Sequence, residues 1–472
     1  MINKILRVFI FQTILITGTF SQAIFEFHAI SEFSNNSIDK TPFWAKVNRW
    51  GVSPPYKNKP LNLVNISFQR YLSQSTQFIV GIEGTGLRER SHFINSELYV
   101  GFLHKWLTLL GGRKKNTLGE NYLPLSLGSM VVGSNALPLP RVSLSIPDYH
   151  LFKFKNIPIK IKGGLSHGWL DKGMYLEAPI LHEKWLYFSF EKNNFSGHLG
   201  LVHEAIWGGT TNKFGAQPTS FKDFIRVFFL RGGSSSAIID EQIHTLGNHL
   251  GIWDLGVRIK KSSFDYHLYL QHPFEDQSGA HWLLNYPDGL WGLSVHAKNK
   301  KGWVTDFLME LLYTMHQSGS EGSDYGRDDY YNNYLYKGGW VYKGKVIGNP
   351  MFILGQNEIR DWKHIVNNRI IAIHSGIEGN ILTYFQYRVL ATYSKNFGTY
   401  DNRDQSNKKG FKYDYEGGLS QLSYRVDLKS NNLLSKKNII AILSLIGDSG
   451  ELYNNSKMIM IGIEWYYSKA TN

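Results

Sequence analysis

The side chains best suited to binding chemistry are aromatic rings interleaved with polar groups in two segments, Trp282 to Trp291 and Tyr325 to Tyr342. Sugars present hydroxyl groups and apolar C–H faces, which proteins contact with Trp or Tyr rings and with hydrogen-bonding side chains. Acidic sugars also require Arg or Lys. The alternative is that these rings belong to the interfacial girdle of a membrane barrel. Four of them are candidate polysaccharide-binding residues: Trp282, Trp291, Tyr330 and Trp340.

A second candidate group is the polar cluster at the end of a predicted strand. Its members are Gln271, His272, Glu275 and Asp276. These side chains are suited to hydrogen bonding with a glycan. The alternative is a satisfied polar network inside the barrel, because buried polar groups must be paired.

Catalytic and metal-binding patterns are weaker. The chain has 17 His, so Ser, His and Asp sets can be assembled on paper by chance. His203-Glu204 lacks the second His of a zinc protease motif, and the absence of Cys excludes disulfides and Cys-bound metal. We therefore predict a protein that is not an enzyme and has no cofactor and no metal site.

The residues from Gly251 to Gly279 predict the element that positions the polar cluster. Trp253, Leu255, Val257 and Ile259 alternate with polar residues, and a second alternating segment follows a short turn. This period of two predicts an antiparallel hairpin with one apolar face and one polar face. In a soluble sandwich the apolar face would be the core, whereas in an outer-membrane barrel it would meet lipid. In the barrel, the lumen-facing residues would be Asp254, Arg258, Lys260 and His267.

The N-terminus predicts export. Asn3, Lys4 and Arg7 precede an apolar run, and Ser21-Gln22-Ala23 follows it, as in a cleaved signal peptide. We therefore divide the chain into a signal peptide over residues 1–23, a poorly ordered segment over 24–40, and one barrel domain over 41–472. After Ala23 no apolar run reaches the roughly 20 residues of a transmembrane helix.

The remaining sequence repeats the strand pattern. Alternating segments follow one another to Tyr467, with one or two short helices and several long loops. The stretch from Lys114 to Pro140 is too long for a hairpin turn and predicts an inward-folded or extracellular loop. At roughly 25 residues per strand, the mature chain holds some 16–18 strands, within the range of bacterial barrels. The predicted fold is an all-β, antiparallel transmembrane barrel.

Several short motifs occur in a characteristic order. They include Leu110-Gly111-Gly112-Arg113, Gly163-Gly164-Leu165-Ser166-His167-Gly168-Trp169, Asn248-His249-Leu250-Gly251 and Asp288-Gly289-Leu290-Trp291-Gly292. This ordered set resembles the capsule assembly Wzi family, in the form found in Bacteroidetes. The resemblance covers roughly Thr41 to Tyr467. It implies an outer-membrane barrel of about 18 strands that holds capsular polysaccharide at the cell surface, with a lectin-like and non-enzymatic role.

The net charge and the predicted export limit the classes of partner that the protein can have. The formal net charge of +13 favours anionic partners, and export argues against nucleic acid. The expected partners are a capsular or other surface polysaccharide and outer-membrane lipid, including lipopolysaccharide. We expect a monomer in the outer membrane of a Gram-negative cell. A porin or substrate-specific channel is the alternative function.

Overall fold

Eighteen antiparallel strands form one closed sheet in the computed structural model. The structure describes residues 22–36, 40–54, 60–87, 93–154, 157–276, 280, 285–317, 328–357, 360–399, 414–430 and 438–471. The first strand pairs with the second strand and also with the last one, which closes the barrel. The prediction of an all-β barrel of about 18 strands is therefore confirmed.

The strands of the wall are joined mostly to their neighbours in sequence. Their bounds are β1 Ala23–Asn36, β2 Pro60–Ser73, β3 Thr76–Leu87, β4 Phe93–His104, β5 Leu107–Arg113, β6 Pro140–Phe154, β7 Ile157–Trp169, β8 Ile180–Lys192, β9 Phe195–Trp207, β12 Asn248–Lys260, β13 Phe264–Phe274, β14 Gly289–Ala297, β15 Asp306–Tyr313, β20 Ile370–Ile381, β21 Phe385–Asn396, β22 Leu419–Ser430, β23 Ile439–Gly450 and β24 Ser456–Thr471.

Smaller elements lie in the long connections between wall strands. Three short hairpins are β10 Thr210–Thr211 with β11 Gly215–Ala216, β16 Val341–Tyr342 with β17 Lys345–Val346, and β18 Ile353–Asn357 with β19 Arg360–Asn367. The helices are α1 Phe43–Lys46, α2 Phe221–Phe228 and α3 Ile239–Ile243. Among the described residues, no helix combines the length and apolar character needed to cross a bilayer.

The segment after the expected signal peptide was predicted incorrectly. Residues 24–40 were expected to be poorly ordered, but β1 occupies most of this segment and the barrel sheet begins at Ala23. Backbone pairing with β2 on one side and β24 on the other orders it. Phe25, Phe27 and Phe33 alternate with Glu26, His28 and Glu32, which is the same period of two that predicts the other strands.

The two ends of the barrel differ in their connections. The chain runs from Ala23 at one end to Thr471 at the same end, where tight turns such as Asn193-Asn194 join the strands. The opposite end carries the long connections, including residues 114–139, 208–247 and 314–369. Outer-membrane barrels have short periplasmic turns and longer extracellular loops. The long-loop end therefore corresponds to the extracellular side.

Alternation along the strands separates an apolar outer face from the interior. On β15, Met309 and Leu311 are exposed on the outside, whereas Asp306 and Glu310 are buried inside. The same segment could have formed a helix, since its apolar residues also fit a period of 3.6. Backbone pairing with β14 and β20 fixes it as a strand.

Candidate functional site

The interior of the barrel is filled by the connection between β5 and β6. We call residues 114–139 the inward loop, and its side chains Leu125, Leu127 and Met130 are completely buried. They pack against apolar lumen-facing residues such as Leu308 and Leu312. Of the two alternatives for this stretch, the inward-folded loop is therefore the one observed. The extracellular half of the lumen is a packed core instead of the wet interior expected from the polar face.

Two wall residues bind the backbone of the inward loop. Glu310 accepts hydrogen bonds from the Leu127 amide and the Ser126 hydroxyl, both at 2.7 Å, and from the Tyr269 hydroxyl. Gln271 accepts a hydrogen bond from the Met130 amide at 3.0 Å. These contacts satisfy backbone groups that would otherwise be buried without partners. They explain why polar side chains occur on the inner face of otherwise apolar strands.

A glycine allows the inward loop to approach the wall. A Cβ atom built on Gly376 of β20 would lie 2.7 Å from the Leu125 Cβ and 3.0 Å from the Leu125 carbonyl oxygen. The first distance is too short for two carbon atoms. Any larger residue at Gly376 would therefore push the inward loop away from β20.

The residues predicted to face the lumen lie on the interior face. Asp254 is completely buried and accepts hydrogen bonds from the Glu120 amide at 2.9 Å and the Tyr187 hydroxyl at 3.0 Å. Arg258 and Lys162 both pair with the Glu120 carboxylate. The other two members have separate surroundings: Lys260 pairs with Glu191 at 2.5 Å, and the buried His267 ring lies beside His198 and Tyr269.

A second layer covers the inward loop. We call residues 328–352 the cap loop. The Tyr331 hydroxyl donates to the Met130 carbonyl, and the Trp340 indole N–H donates to the Val131 carbonyl at 3.3 Å. The Asn349 side-chain amide donates to the Gly128 carbonyl at 2.8 Å. The two loops therefore form one hydrogen-bonded unit inside the long-loop end of the barrel.

Two of the aromatic residues predicted to bind polysaccharide belong to this core. Tyr330 and Trp340 are both 0% exposed. The Tyr330 hydroxyl donates to Asp288 at 3.0 Å, and burial raises the pKa of Asp288 to about 6. Neither ring offers a face to a glycan in this structure. The prediction for these two residues is corrected, because their polar atoms bind other parts of the chain.

Of the two tryptophans in the other predicted segment, Trp291 belongs to the described part of the chain. Trp282 lies outside the described residues. Trp291 lies on the outer face of β14, opposite Leu270 on β13 and Leu311 on β15. Its indole N–H donates to the Pro287 carbonyl at 3.2 Å. This position is that of a ring in the interfacial girdle, so the prediction of Trp291 as a sugar-stacking residue is also corrected.

The predicted polar cluster at the end of β13 is a structural network. Gln271 binds the inward loop, as described above, and the His272 ring lies 2.8 Å from the Asp288 carbonyl oxygen. Glu275 accepts a hydrogen bond from the Tyr331 amide at 2.7 Å, and burial raises the pKa of Glu275 well above its usual range. Asp276 is half-buried next to it and accepts a hydrogen bond from the Ala280 amide through its backbone carbonyl. Of the two alternatives, the polar network matches these contacts, but it is not confined to the barrel interior, because His272 lies on the outer face of β13 opposite Trp253.

The long-loop end carries a different group of aromatic and basic side chains. We call Phe214, Tyr334, Lys337 and Trp362 the rim patch. The Phe214 and Tyr334 rings lie 6.2 Å apart edge to face, and the Lys337 ammonium lies 3.9 Å from the centre of the Trp362 ring. Tyr334 is 46% exposed, and the other three side chains are half-buried. This surface combines ring faces with positive charge.

Sequence reasoning found only part of the rim patch. Tyr334 and Lys337 lie inside the predicted segment Tyr325 to Tyr342, but they were not selected. Phe214 comes from the connection between β9 and β12, and Trp362 lies on β19, later in the same connection as Tyr334. The fold of the loops brings Phe214 to Tyr334 and Trp362 to Lys337. No local pattern distinguishes Tyr334, because Tyr331 also adjoins an Asn and Tyr336 adjoins Lys337, yet both of these rings are buried.

One hydrolase-like pattern was overlooked in the sequence. Gly164-Leu165-Ser166-His167-Gly168 matches G-x-S-x-G, which in hydrolases places the Ser on a sharp turn between a strand and a helix. Here the five residues lie within strand β7, and the Ser166 hydroxyl donates to the buried Glu183 carboxylate. His167 lies on the opposite face of the strand from Ser166. The pattern therefore lacks the geometry of a nucleophile. Within the described residues, no group of three or more His, Asp or Glu side chains is placed to hold a metal ion.

The short-turn end keeps a polar cleft of about 420 Å³ inside the barrel. Charges of both signs line it, including Lys300, Asp306, Glu378, Arg388 and Asp427. Arg388 donates to Asp427 at 2.6 Å, and Lys300 pairs with Asp306 at 2.7 Å. Most of these charged side chains are thus paired with one another across the cleft. The inward loop lies above the cleft, with Tyr122 donating to Glu378 at 3.0 Å.

Comparisons with known proteins were consistent with this architecture. The family model described as capsule assembly protein Wzi matches residues 50–356. Among solved structures, Wzi of Escherichia coli, described as an outer membrane protein involved in group 1 capsule assembly and a carbohydrate-binding β-barrel, is 16% identical, with a TM-score of 0.58 over 93% of this chain and 83% of that one. OprD of Pseudomonas aeruginosa is 8% identical, with a TM-score of 0.48 over 94% of this chain and 95% of that one. No curated protein sequence matched.

Proposed function

Because this chain belongs to the Wzi capsule assembly family, we propose that it attaches or organises a capsular or other surface polysaccharide at the outer membrane. The role is lectin-like and non-enzymatic. The Escherichia coli protein with the same barrel fold is described as carbohydrate-binding, which supports extending this property to the present chain.

The observation that carries the proposal is the rim patch above a filled barrel. Aromatic ring faces and hydrogen-bonding groups suit the two surfaces of a sugar ring, and Lys337 adds a charge for an acidic sugar. Tyr334 is the most exposed of the aromatic rings in the patch. We therefore assign the first contacts with the polymer to Tyr334 and Trp362.

A channel function is less well supported. The inward loop and the cap loop pack together in the extracellular half of the lumen, where Leu125, Met130 and Trp340 are completely buried. An aqueous channel requires a lumen that water and solute can pass. We therefore expect the purified barrel to conduct ions weakly in a planar bilayer.

The direct test is binding of the host's purified capsular polysaccharide to the purified barrel. The double variant Tyr334→Ala/Trp362→Ala should bind more weakly, since alanine removes both ring faces. Trp303→Ala is the matched control, because Trp303 is an exposed Trp in the β14–β15 turn at the opposite end. Equal affinities for the double variant and the unchanged protein would reject the assignment to the rim patch.

The cellular test is the distribution of polymer after deletion of the gene. The strain should synthesise its polysaccharide, retain less on the cell and release more into the medium. Retention should also weaken at high salt, because ions screen the attraction between the basic protein and an anionic polymer. An unchanged ratio of cell-bound to released polymer would contradict the attachment role.

A further inference from the structure

The outer wall between β7 and β12 breaks the apolar pattern near the long-loop end. On β8, Leu186, Phe188 and Phe190 are exposed on the outer face. Continuing by steps of two places Lys184 and His182 on that same face. The same alternation on neighbouring strands adds His167, His203 and His249. Five polar or basic side chains therefore face outward where a barrel wall would normally be apolar.

A folded connection covers these side chains. We call residues 208–247, between β9 and β12, the helical insertion. The Phe224 ring of α2 lies 5.1 Å from the His167 ring and 5.3 Å from the His182 ring. The Lys184 ammonium donates to the Phe228 carbonyl and lies 4.0 Å from the centre of the Phe228 ring. The insertion thus separates the polar part of the wall from its surroundings.

The helical insertion has its own small core against the wall. Val227, Ala237 and Leu246 are buried with Ala205 and Trp207 of β9. Helix α2 begins with a capping box, in which Ser220 and Asp223 each bind the other's backbone amide. The insertion is therefore held in one orientation against the wall, and this orientation also determines which side chains face away from the barrel.

That far side is apolar. Phe221, Ile225 and Phe229 are spaced by four residues, which places them along one face of α2. Ile239 and Ile243 have the same spacing on α3. All five are between 37% and 76% exposed. Large apolar side chains clustered at this exposure mark an interaction surface.

The length of the bare wall indicates what covers this surface. On β24 the exposed outer residues run from Ile459 to Tyr467, nine positions, whereas on β8 they run only from Leu186 to Phe190, five positions. A strand that crosses a bilayer needs about 9–11 residues. At β8 the barrel wall supplies about half of that length, and the helical insertion lies where the other half should be. Its exposed apolar stripe continues the lipid-facing surface.

The charges around the stripe suit a phosphorylated lipid. Lys222 and Arg231 are exposed and Arg226 is half-buried, whereas Asp223 and Glu241 are buried beneath the helices. The outward charges are thus mainly positive, with Asp240 the exposed acid on α3. Basic side chains at the edge of an apolar helix face bind lipid phosphates at the membrane surface.

We propose that the helical insertion is seated in the outer leaflet, with Phe221, Ile225, Phe229, Ile239 and Ile243 among acyl chains and with Lys222 and Arg231 on the phosphates of lipopolysaccharide. The insertion shields the outward-facing His and Lys side chains from hydrocarbon and completes the apolar belt. This inference rests on the membrane setting of the proposed function and is independent of polysaccharide binding.

The test uses the absence of cysteine from the chain. Single variants Ile225→Cys and Ile243→Cys are labelled with an environment-sensitive fluorophore, and the full-length barrel is reconstituted into phosphatidylcholine vesicles with brominated acyl chains. We expect a blue shift and loss of emission at both positions. Leu199→Cys, on the exposed outer wall of β9, is the positive control, and Asn212→Cys, in the polar β10–β11 turn, is the water-exposed control. Heat-modifiable migration in gels verifies that each variant is folded.

The second arm identifies the lipid. Adding unbrominated lipid A to the vesicles should weaken bromine quenching at Ile225→Cys more than at Leu199→Cys, because lipid A held by the insertion displaces brominated phosphatidylcholine there. The added substitutions Lys222→Gln and Arg231→Gln should remove that difference. If lipid A changes nothing, the assignment to lipopolysaccharide is wrong. If Leu199→Cys is quenched but Ile225→Cys is not, the seating in lipid is wrong, while the barrel remains in the membrane. A label at Ile225 that responds only to added polysaccharide would also overturn the inference.

Discussion

Replacing Glu310 with alanine should release the inward loop from the barrel wall. The Glu310 carboxylate accepts hydrogen bonds from the Leu127 amide, the Ser126 hydroxyl and the Tyr269 hydroxyl. Its side chain is 1% exposed, so water does not readily replace it. Glu310→Ala therefore leaves the Leu127 amide without its acceptor and opens a space beside it.

The size of the effect follows from the number and kind of bonds lost. A buried donor left unsatisfied costs about 1–3 kcal/mol, and hydrogen bonds to charged groups contribute about 1.5–3 kcal/mol each. The two hydroxyls can rotate towards other acceptors, so we count the Leu127 amide fully and the hydroxyls in part. The free energy that holds the inward loop against local opening should fall by about 3–5 kcal/mol. Because 1.4 kcal/mol corresponds to a factor of ten, local opening should become roughly 10² to 4 × 10³ times more frequent.

Hydrogen exchange of the reconstituted barrel measures this opening directly. Amides between Leu118 and Gly133 should exchange faster in Glu310→Ala, whereas amides of β24, five strands away from β15 around the barrel, should not change. Glu310→Gln keeps one oxygen acceptor for Leu127 and should have a smaller effect. Glu191→Ala is the matched control, since among the described residues Glu191 pairs with Lys160 and Lys260 near the short-turn end. Unchanged exchange in the inward loop of Glu310→Ala would refute this account of its attachment.

Three further predictions concern the wall, the insertion and the N-terminus. Leu255→Arg places a charge on the lipid face and should cost about 2–4 kcal/mol in folding into bilayers if the site is near the midplane. Arg258→Leu removes the ion pair with Glu120 inside the lumen and should be far milder. Denaturant titrations that rank Arg258→Leu as the more damaging change would contradict the assignment of faces. Burial raises the pKa of Glu241 from its ordinary 4.5 to about 7, so the stability that its protonated form contributes is complete below about pH 4.5 and is lost as the pH rises towards 7. Hydrogen exchange of the amides in residues 232–247, corrected for intrinsic rates, should therefore increase between pH 4.5 and 7. Glu241→Gln should flatten that increase. The mature protein should begin at Ile24, and N-terminal sequencing of the membrane fraction that finds Met1 would disprove signal cleavage.

The alternation of side chains was enough to predict the barrel, because one hydrogen-bonding pattern repeats through the wall. The sequence alone shows which residues of β12 share a face: Trp253, Leu255 and Val257 lie on one face, and Asp254 and Arg258 lie on the other. The alternation does not reveal what covers each face. Leu186 and His182 both face outward on β8, but the first is exposed and the second lies beneath Phe224 of the helical insertion. That difference depends on residues more than 15 positions further along the chain.

The candidate site was predicted less well for a related physical reason. Trp340 and Tyr334 lie six residues apart in a loop without regular periodicity, so no pattern shows which ring is buried. Trp340 is buried because its indole N–H finds the Val131 carbonyl, some 200 positions earlier in the chain. Tyr334 stays at the surface, where it meets Phe214 from another connection. Such long-range contacts decide the exposure of each ring, and composition alone could identify only the segment.

A filled lumen also gives the rim patch a rigid support. The cap loop that carries Tyr334 and Lys337 is bound to the inward loop through Tyr331 and Asn349, and the inward loop is bound to β15 through Glu310. A ring held in this way loses little conformational freedom when a sugar stacks on it, so more of the contact energy remains as affinity. In an open channel the same loops would lack that support. The packed core inside the barrel and the exposed aromatic surface at its end are thus parts of one arrangement, which is better suited to holding a polymer than to letting a solute through.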